Sequence, residues 1–105
     1  MPTYKYFDID AYQSEEAIDF YCTDPAIADQ MLAELDRLFD FQASETVGTG
    51  GKGYRLRKYG RDWHKPISMW MVQHLCGTGW EPFSTNLAVY GAGYYTKSWA
   101  FRQST

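Results

Sequence analysis

A chain of 105 residues is one domain's worth, able to bury about two thirds of the surface its unfolded form exposes, so two catalytic domains do not fit. Apolar residues at 45% and charged residues at 22% exclude the compositions that stay disordered, and aromatics at 18% are the one excess. The net charge of -3 hides an asymmetry: residues 1–50 carry 11 acids against Lys5 and Arg37, a balance of -9, while residues 51–105 carry Asp62 and Glu81 against eight bases, a balance of +6. Halves segregated in space would make a dipolar surface that steers anionic partners, whereas halves interleaved in one sheet would simply pair their charges.

Tyr4 to Tyr12 predicts a strand, because Phe7, Ile9 and Ala11 alternate with Asp8 and Asp10. Ala17 to Cys22 alternates too, and fits either a hairpin partner or a short helix entered through Ser14. Asp24 is a good N-cap and Pro25 suits the first helical position. Ile27, Met31, Leu35 and Leu38 then recur at helical spacing, predicting a helix over 25–39 with an acidic outer face of Asp29, Glu34 and Asp36. Phe41–Val47 and Tyr54–Tyr59 read as a hairpin across the glycines of 48–53. A second helix begins near Pro66, with Ile67, Trp70, Met71, His74 and Leu75 on one stripe, and ends at Gly77 and Gly79. Trp80–Leu87 and Tyr94–Arg102 form the last hairpin.

That order, β-α-β-β-α-β-β, predicts a single α+β domain: an antiparallel sheet with two helices packed on one face, ferredoxin-like or a related two-layer sandwich. At an offset of 40, Ile27, Met31, Leu35, Ser44, Gly51, Gly53 and Tyr54 meet identical residues, which raises an internal repeat. Shared turn glycines are an equally good source of that echo. The chain start lacks the apolar core of a signal peptide and no run of 18 apolar residues occurs. A cytoplasmic protein that keeps Cys22 and Cys76 reduced is therefore expected, with no membrane partner.

The segment Lys52 to Lys65 holds six of the ten Lys and Arg with aromatics interleaved, the pairing that phosphates and stacked bases require. It makes Tyr54, Arg55, Arg57, Tyr59, Arg61, Trp63 and His64 the candidate residues for binding a ligand or partner. Asp8 and Asp10 on the first strand argue against nucleic acid, and a strand whose arginines answer the acidic half is the simpler reading. The glycines of 48–53 are not a phosphate loop, since no Ser or Thr follows Lys52 and no helix comes next. His74 and Cys76, two apart on a helix, point about 200° apart and do not share a metal ion. No cofactor, metal or catalytic residue is expected.

The run Leu75-Cys76-Gly77-Thr78-Gly79-Trp80-Glu81, followed by the aromatic strand Tyr94 to Arg102, resembles small bacterial and phage domains of unknown function. In those, a helix ends in leucine and glycine and a Gly-Trp-Glu tripeptide opens a strand. The resemblance covers residues 66–103; it implies a fold and no activity. Here Cys76 and Thr78 depart from the usual approach to the Gly-Trp pair. Gly79 would permit the turn, Trp80 cover the helix end, and Glu81 accept from a basic neighbour. The expected function is a non-catalytic binding module that uses an aromatic and basic surface, as a homodimer or with another protein. The alternatives are a nucleic-acid or nucleotide binder through residues 52–65, and a small dimeric α+β barrel enzyme with a pocket at His64 or His74.

Overall fold

The structure, a computed structural model, describes residues 3–12, 17–46, 50–58, 64–89 and 95–105. Its elements are β1 (Tyr4–Tyr12), β2 (Ala17–Cys22), α1 (Pro25–Leu38), β3 (Gln42–Thr46), β4 (Lys52–Arg57), α2 (His64–Gly77), β5 (Glu81–Val89) and β6 (Tyr95–Ser104). The strands form one antiparallel sheet in the order β3-β4-β2-β1-β6-β5. The α+β class and the sheet with two helices are as expected, but the element order is corrected. Ala17–Cys22 is a strand, so β1 and β2 pair antiparallel at the centre of the sheet before α1 begins, unlike the ferredoxin-like order. Two flanking strands on β2 satisfy its backbone on both edges, which a short exposed helix there would not achieve.

Period two divides β1 into two faces. Phe7, Ile9 and Ala11 are buried and point toward the helices, and the register places Ile18, Phe20, Cys22, Tyr54, Leu56 and Phe101 on the same side. Both helices pack there. In α1, Asp24 caps the first turn by accepting from the Ala26 amide at 3.0 Å, and Ala28, Met31 and Leu35 enter the core. In α2, Ile67, Met71 and Leu75 do so at spacings of four.

The Gly79-Trp80-Glu81 turn behaves as its chemistry suggests. Gly79 has φ +90°, the Trp80 amide donates to the Leu75 carbonyl at 3.0 Å, and the Trp80 ring is buried with its edge against Phe7. Glu81 accepts from Arg102 Nε at 3.0 Å.

The acidic and basic halves interleave, because β4 and β6 flank the acidic central hairpin. Arg55 pairs with Asp19, and Lys52 with Asp29 at 2.9 Å. Lys52 and the Tyr54 hydroxyl, which donates to Asp29 at 2.5 Å, tie α1 to β4. The Tyr54 hydrogen bond first, and Lys52 next, hold the Asp29 carboxyl below its ordinary value. A carboxyl depressed on folding stabilises above its unfolded pKa of about 3.9 and loses that contribution as pH falls through the folded value. Asp29→Asn is therefore expected to be less stable than the natural chain at pH 6. The gap between their urea midpoints should narrow steadily below about pH 4; a gap independent of pH would contradict this role.

Candidate interaction surface

Among the described residues no helix lies over the other face of the sheet. Residues paired across an antiparallel ladder share a face, so Tyr4, Tyr6, Asp8, Asp10 and Tyr12 of β1 stand beside neighbours that the register assigns. The Tyr6 row continues to Arg102 and Glu81. The Asp8 row runs Thr46, Gly53, Tyr21, Asp8, Ala100, Ser84, and the Asp10 row runs Ser44, Arg55, Asp19, Asp10, Ser98, Asn86.

At one end this face is aromatic. The Arg102 guanidinium lies 5.0 Å from the Tyr4 ring and 5.3 Å from the Phe83 ring, and Phe83 meets Tyr6 edge-on at 5.9 Å. Tyr6 is 41% and Phe83 45% exposed, so the rings are organised without being hidden. Phe83 reaches this face because the ladder slips between Pro82 and Ser84; Pro82 has no amide hydrogen to donate, which suits an edge strand with such an irregularity.

The centre is polar. Ser98 donates to Asp10 at 2.6 Å, and Arg55 grips Asp19 through both carboxylate oxygens at 2.7 and 2.8 Å, with its guanidinium 5.7 Å from the Tyr12 ring. Among the described residues Asp8 has no charged or hydrogen-bonding partner. Loss of water at the crowded strand surface first, and the Asp10 charge second, push its carboxyl above the usual value. Asp8, Asp10, Ser84, Asn86, Ser98 and Ala100 line a shallow hollow of about 140 Å³.

The described residues of the segment 54–64 do not form one surface. Tyr54 is buried on the helix side, bonded to Asp29, while Arg55 belongs to the open face and is spent on Asp19. Arg57 is exposed at the end of β4, and His64 opens α2. Tyr59, Arg61 and Trp63 lie outside the described residues. The reason is period two: neighbours in a strand point to opposite sides, so a run of mixed aromatics and bases divides rather than gathers. Tyr6, Phe83 and Arg102, which do gather, are up to 96 positions apart and escape a reading of local composition.

On the helix side a second groove, of about 460 Å³, runs between α1 and α2 over Met31, Leu75 and Trp80, with Glu34, His74 and Gln103 on its rim. His74 stacks on Trp70 at 4.7 Å, and the Thr78 hydroxyl donates to the His74 carbonyl at 2.8 Å. No nucleophile is thereby presented to the imidazole among the described residues. Cys22 is buried, and burial, its largest influence, raises the thiol; Cys76 is exposed, and both are free. The described residues hold no cluster of three metal-ligating side chains, and no described helix is long and apolar enough to cross a membrane.

No family model and no curated protein matches the chain. Among solved structures it is similar to a conserved kinetoplastid-specific protein from Trypanosoma cruzi, with a TM-score of 0.65 and 14% identity over 92% of this chain and 94% of that one. That neighbour is from a eukaryote and lends no support to a bacterial origin. At this identity the likeness is one of fold, and no activity is carried with it.

Proposed function

We propose that the protein is a non-catalytic binding module that engages a protein partner through the uncovered face of its sheet, with Tyr6, Phe83 and Arg102 as the anchoring end. The observation that carries this reading is the pair of large rings held in place by an arginine on a face that neither described helix covers. Exposed apolar area of that kind is a cost to an isolated domain and an asset at an interface, where aromatic residues and arginine supply most of the affinity.

Nucleic acid is the poorer fit. Asp8, Asp10 and Asp19 occupy the middle of the same face and repel phosphate, and Arg55, the described cation beside them, already holds a carboxylate at two points. The 40-residue echo belongs to this reading as a duplication. In support, α1-β3-β4 and α2-β5-β6 flank the central hairpin on its two sides, with β4 beside β2 and β6 beside β1.

Hydroxyl-radical footprinting tests the surface without a known partner. Tyr6 and Phe83 are expected to be modified several-fold less in the cells that make the protein than in a dilute purified sample, while Leu38 and Met69 on the helix side react alike in both. Equal reactivity of the two sheet-face rings in cells and in the dilute sample would refute the proposal.

A further inference from the structure

We infer that the protein partner on this face presents an extended segment in which an apolar side chain and an arginine stand two residues apart, the apolar one on Tyr6 and Phe83 and the arginine in the hollow beside Asp8 and Asp10. The inference rests on the reading of the open face as an interaction surface and names the chemistry that the surface recognises.

Charge selects the cation. In the Tyr6, Asp8 and Asp10 rows, Arg102 is answered by Glu81 at 3.0 Å and Arg55 by Asp19 at 2.7 Å. Asp8 and Asp10 are the charges left over: among the described residues the Asp8 side chain has no partner, and that of Asp10 has only the Ser98 hydroxyl. Loss of water and mutual repulsion push the Asp8 carboxyl up, and a cation brought against the pair relieves the repulsion. The hollow of about 140 Å³ has room for about four waters, so it takes the end of one long side chain and not a folded element. A guanidinium brings five N–H donors in a planar fork to carboxylates that only accept, whereas a lysine ammonium is a more strongly hydrated point charge. A divalent ion takes about six oxygens, and the described residues hold no cluster of three metal-ligating side chains.

Spacing selects the neighbour. Tyr6 and Asp8 are two apart on β1, so the aromatic end and the hollow lie about 7 Å from each other along the strand direction. An extended partner segment repeats one face at that same distance, while neighbours on one face of a helix stand about 5–6 Å apart. With its arginine on Asp8, such a segment places the side chain two positions away over Tyr6 and Phe83, whose exposed rings offer it apolar area.

Amide NMR titration with the blocked peptide acetyl-Gly-Leu-Gly-Arg-Gly-amide tests the inference. Saturable shifts are expected at Tyr6, Asp8, Ser84 and Ala100 with a Kd of about 1 mM, and the same peptide with glutamate in place of arginine should leave those amides unmoved. Asp8→Asn, at an exposed position, should keep the fold and weaken the arginine peptide about five-fold. In the natural chain the peptide should also move the carbon-13 titration of the Asp8 carboxyl to lower pH, which a merely structural Asp8 would not show. Equal binding of the two peptides, an unmoved Asp8 titration, or no shifts up to about 20 mM would overturn the arginine. Protection of Tyr6 and Phe83 in cells would then still uphold the interaction surface, so the two failures are separable.

Discussion

Leu35→Ala and Leu75→Ala are each expected to lower the free energy of unfolding by about 2–5 kcal/mol, read from urea midpoints at unchanged slope. Both side chains are fully enclosed, one from each helix, and both belong to the single cluster that includes Phe7, Phe20 and Phe101. Truncation removes three carbons from a close-packed centre and leaves a hole that the sheet, fixed by hydrogen bonds on both edges of β1 and β2, closes only in part. For a domain of this size such a loss is a large share of its whole stability. The matching control is Leu38→Ala: Leu38 ends the same apolar stripe in the sequence but is 45% exposed, and its truncation should cost well under half as much. Equal losses at 35 and 38 would place the wrong face of α1 on the sheet.

The second large effect runs against residue propensity. Glycine weakens a strand interior by about 0.5–1 kcal/mol relative to alanine, so Gly53→Ala looks stabilising from sequence alone. In β4, however, a methyl at Gly53 would lie 2.7 Å from the Phe20 carbonyl oxygen and 2.7 Å from the Thr46 hydroxyl oxygen. Hydroxyls rotate away, but the carbonyl belongs to the backbone of β2 and is held in the ladder. Relief requires β4 to move from β2, and overpacking of this kind costs about 1–3 kcal/mol, enough to outweigh the propensity gain. Gly53→Ala is thus expected to lower the thermal midpoint, and a raised midpoint would show that β3, β4 and β2 lie further apart than described.

Much of the fold was legible in the sequence because its signals are local. Asp24-Pro25 followed by Ile27, Met31 and Leu35 contains its own cap, start and stripe, and α1 occupies 25–38 as that pattern implies. The glycine and tryptophan after α2 set a turn that only glycine's positive φ allows. Ala17–Cys22 was ambiguous for a physical reason: six residues are too few for periodicity to decide, and the deciding fact is the presence of β1 and β4 on its two edges, from 5 to 40 positions away. The interaction surface was hidden for the same reason. The sequence assigns the arginines to the acidic half but does not single out Asp19 for Arg55, Tyr54 reads as a surface ring until α1 covers it, and the face Phe83 takes is set only by the slip at Pro82. Each of those outcomes depends on strand pairing, which sequence composition does not contain.

The most direct measurement of the central claim is photo-crosslinking in the cells that make the protein, with the photoreactive p-benzoylphenylalanine replacing Phe83 in one variant and Met69 in another. Both positions are exposed, at 45% and 58%, so each tolerates the larger ring and each is equally free to react. The open sheet face as the working surface predicts a discrete protein adduct from position 83 and none from position 69. An adduct from position 69 alone, or a nucleic-acid adduct from position 83, would contradict it.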